Sequence, residues 1–213
     1  FFFIFISLFA RTERIKNLMV FCSCRVLHLS VLLFPRIKNV DNGTIDFPVI
    51  YVANHVSFFD LFIFGSVLPG NPRGFENVRH FKYPVYGWFI SHFGQIPIDT
   101  ANRKSILHSI RYASEKINNK ERSILLMPEG TRTRNGSIGQ FHSGAFLLSI
   151  ETGVPIVPVI FKNLYDHTNA VNYFIKPGII DVVIGKPILP QDFPNKEEMQ
   201  GYTYNYMTQL LEE

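Results

Sequence analysis

The sequence predicts an α/β fold, with a mixed, mostly parallel central sheet flanked by helices and an N-terminal apolar helical membrane-association segment. Two observations carry this. From Pro35 onward, short β-rich runs alternate with helical runs, a pattern that builds a sheet buried on both faces. Before Pro35 the chain holds two apolar runs separated by a basic, polar stretch at 11–16. The expected organisation is a membrane-associating part at 1–34 and one domain at 35–213, with no internal repeat or linker inside the second part.

The first run, 1–10, is almost wholly apolar, and 1–5 leave no polar face for a soluble helix. The second, 18–34, has 17 residues interrupted by Arg25 and His28. As a helix it would span roughly 26 Å, short of the roughly 30 Å hydrocarbon core. Arg25 and His28 stand three apart, so they share one face. That pattern suits a helix lying in the membrane interface. The alternative is a pair of core helices packed on the domain. Cys22 and Cys24 read as reduced, small apolar residues, with palmitoylation as the sharper alternative.

Beyond Pro35, 48–52 read as a buried strand, 58–68 as a helix, 85–93 as an aromatic-rich helix or turn, and 96–98 as a short strand. Residues 102–118 form a clear amphipathic helix, because Ile106, Ile110, Ala113 and Ile117 recur at spacings of three and four. Strands are expected at 123–127, 155–161 and 179–184, and helices at 143–151 and 195–211.

The chain of 213 residues carries a net charge of +4 and a pI near 9.1. Anionic lipid, a phosphorylated substrate or an acidic carrier would suit that balance. No nucleic-acid-binding module is recognised, and nucleotide-binding glycine motifs are absent. The seven histidines show no metal-ligand spacing.

The most informative stretch is 54–60. Asn54 and His55 follow the strand, and Asp60 comes five residues after His55. On a regular helix that spacing separates two side chains by about 140° in azimuth. They meet if His55 sits in a loop and Asp60 in the first helical turn, with Ser57 as N-cap and Asp60 three residues on. The carboxylate would then fix the tautomer of the ring and leave the other nitrogen as a general base. The plainer alternative is a capping box beside a loop histidine. A second stretch, at 124–132, runs from an apolar strand into Pro128, Glu129, Gly130, Thr131 and Arg132. Gly130 permits close backbone approach, Thr131 offers a hydroxyl, and Arg132 a planar fork suited to phosphate.

Together these stretches resemble the lysophosphatidate (1-acyl-sn-glycerol-3-phosphate) acyltransferase family, the PlsC-type glycerolipid acyltransferases. Four blocks match in order across about 40–165. Asn54, His55 and Asp60 match the family's His-x4-Asp block, in which the resemblance implies a His base and an orienting Asp. Residues 94–99 with Asn102 and Arg103 resemble a second block, and 128–132 match a third. Both imply binding of the acceptor phosphate. Residues 154–159 match a fourth, a buried strand near the acyl chain. The sequence departs from the family at Thr100, where Arg is common. It departs again at His142, before the Ser143-Gly144-Ala145 run, and at Asn77 and Val78, where Lys is frequent. These departures bear on the acceptor head group.

The resemblance implies an O-acyltransferase moving a fatty acyl group from acyl-CoA or acyl carrier protein to the free hydroxyl of lysophosphatidate. Catalytic His55 and Asp60 would act beside a substrate-binding set of Asn54, Arg103, Glu129, Gly130, Thr131 and Arg132. Another lysolipid or glycerol 3-phosphate is the alternative acceptor. No cofactor or metal is implied. Expected partners are membrane lipid, the acyl donor and a lysophospholipid, at a peripheral membrane location on the cytoplasmic face. Gly-x-Ser-x-Gly is absent, so direct transfer is preferred over an acyl-enzyme. The readings from other classes are a lipid ester or thioester hydrolase and a non-catalytic membrane-binding module.

Overall fold

A computed structural model of the chain describes residues 12–40, 45–70, 72–172 and 174–213. The first apolar run, at 1–10, lies outside the described residues. Helix α1 (Glu13–Ser30) opens at Thr12, whose Oγ1 accepts a hydrogen bond from the Ile15 amide. Strand β1 (Leu33–Asn39) follows. Then come β2 (Ile50–Ala53), α2 (Asp60–Val67), β3 (Arg73–Asn77), a 3₁₀ turn (His80–Lys82), α3 (Tyr86–His92), β4 (Ile96–Ile98) and α4 (Arg103–Asn118). The chain continues through β5 (Ile124–Leu126), α5 (Gly144–Thr152), β6 (Ile156–Phe161), α6 (Leu164–His167) and β7 (Gly178–Ile184), and it closes with a 3₁₀ turn (Pro190–Asp192) and α7 (Lys196–Glu212).

The seven strands form one sheet in the order β1-β7-β6-β2-β5-β3-β4. Strands β6, β2, β5, β3 and β4 are mutually parallel, β7 runs antiparallel to β6, and β1 is parallel to β7. The sheet is therefore mixed and mostly parallel. Alternate residues of β2 feed opposite cores. Ile50 and Val52 pack with Ile110, Ala113 and Ile117 of α4, Phe146 of α5 and Met207 of α7. Tyr51 and Ala53 face Ile63 and Phe64 of α2 on the other side. Helices thus cover both faces, and the carboxyl ends of the five parallel strands share one edge of the sheet.

Two expectations are corrected at the N-terminus. Residues 31–34 do not continue the helix: Leu33 opens β1, which crosses the expected 34/35 boundary and pairs in register from Leu33↔Gly178 to Asn39↔Ile184. Pro35 is tolerated because β1 lies at the edge of the sheet, where a missing N–H costs little. His28 does not share a solvent-facing polar side with the exposed Arg25. It is buried, its Nδ1 is 2.8 Å from the Leu33 carbonyl oxygen, and its Nε2 is 2.9 Å from Ser66 Oγ. That bonding ties α1 to β1 and α2. Cys22 and Cys24 are free thiols, and burial pushes the Cys24 thiol up to about 12. Helix α1 packs closely on α2: a Cβ placed on Gly65 would lie 2.6 Å from Cys24 Sγ.

Candidate active site

Strand β2 ends at Ala53 in the middle of the parallel part of the sheet, and the chain leaves it as a loop before α2 begins at Asp60. Ligand sites in open α/β sheets lie outside the carboxyl ends of such strands. His55 sits in this loop. Its Nδ1 is 2.6 Å from Asp60 Oδ2. The same carboxylate accepts the backbone N–H of Val56 at 2.7 Å and that of Ser57 at 2.9 Å. A carboxylate oxygen only accepts here, so Nδ1 carries the proton and donates it, which leaves Nε2 with its lone pair. Asp60 is 1% exposed, whereas the His55 side chain retains 26% exposure. The acid is locked while the ring can reach a substrate. Burial raises the Asp60 pKa, and the bonds from His55, Val56 and Ser57 oppose that shift.

Ser57 is not the N-cap that the spacing suggested. Phe59 occupies that position without a side-chain cap, and Asp60 is the first helical residue. The physical reason is that Asp60 reaches back to the amides of Val56 and Ser57, holding those residues as loop, while Ser57 Oγ accepts from the Phe59 amide at 3.1 Å.

The turn after β5 is joined to this loop by two backbone bonds. The His55 N–H donates to Glu129 Oε1 at 2.8 Å, and the Thr133 N–H donates to the His55 carbonyl at 2.8 Å. The second oxygen of Glu129 accepts the Gly139 N–H at 2.7 Å. Burial raises the Glu129 pKa, opposed first by the His55 and Gly139 amides. Gly130 has a φ of +66°, and a Cβ there would stand 3.2 Å from His142 Cδ2. The turn thus requires glycine for both its backbone conformation and its space. Thr131 and Arg132 are exposed beside it.

The structure therefore brings His55, Asp60, Glu129, Gly130, Thr131 and Arg132 into one neighbourhood. Two of the expected substrate-binding residues have their polar atoms committed elsewhere. Asn54 is buried, its amide nitrogen donating to the Phe161 carbonyl at 3.1 Å and its Oδ1 accepting the Phe161 N–H at 2.9 Å. It clamps the end of β2 to β6. Glu129 holds backbone amides and so positions the His55 loop. Arg103 opens α4 beyond β4, three strands from β2 in the sheet order, a separation of about 14 Å at the usual strand spacing. Sequence reasoning did not assign the clamp of Asn54 or the tie through Glu129 and Gly139. Neither has a local signal, because each partner lies on a different element.

Asn54→Ala leaves two buried backbone groups of Phe161 without partners, each costing about 1–3 kcal/mol. Thermal or denaturant unfolding should show the variant less stable by about 2–6 kcal/mol.

Comparison with known proteins gives the family and the fold. A family model described as Acyltransferase matches residues 35–162. The chain is 30% identical over 168 residues to the chloroplastic 1-acyl-sn-glycerol-3-phosphate acyltransferase BAT2 of Brassica napus, covering 76% of this chain and 48% of that protein. It is 27% identical to the 1-acyl-sn-glycerol-3-phosphate acyltransferase of Saccharomyces cerevisiae, over 78% of this chain and 55% of that one. The chain thus spans about half the length of these relatives. The crystal structure of the 1-acyl-sn-glycerophosphate acyltransferase PlsC from Thermotoga maritima shares the fold, with a TM-score of 0.82 at 23% identity, covering 99% of this chain and 86% of that chain.

Proposed function

The chain belongs to the acyltransferase family, and from that premise we propose that it moves a fatty acyl group from acyl-CoA or acyl carrier protein to the free hydroxyl of lysophosphatidate, giving phosphatidate. The observation that carries the reading is the His55–Asp60 pair, 2.6 Å apart and bonded through the His55 backbone to the Glu129 turn. The names of the Brassica and yeast relatives support lysophosphatidate as the acceptor.

The chemistry needs one proton removed and returned. The acceptor hydroxyl donates to His55 Nε2 as its oxygen attacks the thioester carbonyl. Asp60 stabilises the imidazolium that forms. The tetrahedral intermediate then collapses, the carbon–sulfur bond breaks, and the thiolate leaves with the proton from the imidazolium. Base help of this kind is worth about 10²–10⁴-fold. Orientation of the acceptor by its phosphate, with Arg132 as the bidentate contact, supplies more.

Thiol release from acyl-CoA against a panel of lysolipids tests the substrate. Lysophosphatidate is expected to give the highest kcat/KM, and a preference for an acceptor without a terminal phosphate would refute it. Arg132→Ala should raise the KM for lysophosphatidate by about 10-fold or more, as loss of one charge-assisted contact predicts. Its kcat should change little, and an unchanged KM would count against the phosphate contact.

Work at a membrane surface is part of the same proposal. No helix among the described residues is long and apolar enough to cross a membrane. Helix α1 does present Ile15, Leu18, Cys22 and Val26 at spacings of three and four, and Ile15 (47%), Leu18 (61%) and Val26 (49%) are exposed. Such a stripe suits the acyl–headgroup boundary. The double variant Leu18→Glu, Val26→Glu should lose most binding to anionic liposomes in a flotation assay while its unfolding temperature is retained.

A further inference from the structure

A second histidine–carboxylate pair stands at the carboxyl edge of the sheet, and the mechanism above does not use it. Strand β3 lies two places from β2 in the sheet order, beyond β5. Its C-terminal end therefore opens about 10 Å from that of β2, on the same side as the His55 loop. Glu76 is the penultimate residue of β3, and His80 begins the 3₁₀ turn that follows. His80 Nδ1 donates to Glu76 Oε1. The other carboxylate oxygen accepts the phenol of Tyr86 at 3.2 Å. Burial first, and then Glu76, raise the Tyr86 pKa, so the phenol stays a donor.

The arrangement is set deliberately by the backbone. Val85, a β-branched residue, has a φ of +65°, a conformation such residues rarely adopt. It permits the Tyr86 amide to bond to the Pro84 carbonyl at 2.7 Å and starts α3 with Tyr86 against Glu76. The Tyr86 ring lies 6.4 Å from Phe58, which belongs to the loop that carries His55. One ring contact thus links the cluster to the loop that carries the catalytic pair.

Both oxygens of Glu76 are occupied, by His80 and Tyr86, so the carboxylate is not open to a cationic ligand. What it presents is the ring of His80. With Nδ1 tied back, Nε2 has no hydrogen bond among the described residues, and the side chain is 40% exposed. Arg79 and Lys82, both exposed, flank it on the same turn. An anion placed there would complete a carboxylate–imidazole–anion chain and accept a charge-assisted hydrogen bond.

We infer that His80, oriented by Glu76 and Tyr86, is a specificity-determining residue that contacts the phosphate of the acceptor through Nε2, beyond the carboxyl end of β3. The inference rests on the proposed transfer to a phosphorylated acceptor. It makes β3 and β5 the two sides of the anion subsite, with Arg132 supplying the other contact.

The test compares lysophosphatidate with uncharged monoacylglycerol as acceptors for His80→Ala and His80→Lys. His80→Ala should raise the KM for lysophosphatidate about 10-fold or more, with kcat within about 2-fold and the monoacylglycerol KM unchanged. His80→Lys, which restores a cation without the Glu76-tethered ring, should recover most of the loss. Equal shifts for both acceptors, no shift, or a lysine variant no better than alanine would overturn the assignment. Should His80→Ala fail to fold, His80→Gln carries the same comparison. A binding readout separates this inference from the transfer reading. In the His55→Ala background, where the base is gone, glycerol 3-phosphate should still shift the ring ¹⁵N resonance of His80. A silent resonance sinks the subsite whatever the enzyme does, whereas a shift in a protein with no transferase activity would sustain it.

Discussion

His55→Ala is expected to lower kcat by about 10²–10⁴-fold while leaving the unfolding temperature close to that of the parent protein. The size follows from what the ring does. Nε2 is the atom that takes the hydroxyl proton, and an alcohol is a poor nucleophile until that proton leaves. The preservation of the fold follows from how the position is held. The backbone N–H of His55 donates to Glu129 and its carbonyl accepts from Thr133, and neither bond involves the ring. Rates from stopped assays on the purified variant, with a thermal melt beside them, check both halves. A folded variant with near-parental turnover would remove His55 from the chemistry.

Asp60→Asn should be nearly as damaging, lowering kcat by about 10²–10⁴-fold, and it should also cost stability. The carboxylate accepts three hydrogen bonds: from His55 Nδ1–H and the Val56 N–H at Oδ2, and from the Ser57 N–H at Oδ1. An amide has one acceptor oxygen. If that oxygen replaces Oδ2, the amide NH₂ faces the Ser57 N–H. If it replaces Oδ1, the NH₂ faces Val56 and drives His55 to the tautomer with its proton on Nε2, which can no longer accept from the acceptor. Either way a buried donor loses its partner, at about 1–3 kcal/mol. Asp60→Asn is therefore expected to unfold at lower denaturant than His55→Ala, and the reverse order would contradict the bonding described.

Much of the fold was readable from local pattern. The helix over 103–118 announces itself through Ile106, Ile110, Ala113 and Ile117, and through Asn102, whose side chain caps it by accepting from Lys104 and Ser105. The strands at 50–53, 124–126 and 156–161 are short and apolar, and Asn54, Ser123 and Lys162 each mark one of their ends. The His55–Asp60 meeting was also readable, since a loop followed by a first helical turn is the geometry that brings residues five apart together.

What escaped depends on distant partners. Residues 33 and 34 end an apolar run and read as the tail of a helix, and Pro35 masks the strand that follows, until β7, 145 residues later, supplies the pairing that joins Arg36 to Asp181. Strand β3 begins with Arg73, a charged residue buried in the structure, and no alternation rule places a strand there. His28 read as part of a polar face, whereas α2 buries it. Asn54 and Glu129 look like substrate ligands because they are polar residues in functional blocks. Only the structure shows their atoms engaged with Phe161 and with His55 and Gly139.

The central claim is that His55, steered by Asp60, activates an alcohol held beside the Glu129–Arg132 turn. The most direct measurement is the stoichiometry of thiol released to lipid acylated when the purified protein meets acyl-CoA with and without lysophosphatidate. The account predicts release only when the acceptor is present, one thiol for each phosphatidate formed, and a rate about 10²–10⁴-fold lower from His55→Ala. Thiol release at the same rate without acceptor, accompanied by free fatty acid, would show water in place of the alcohol and contradict it.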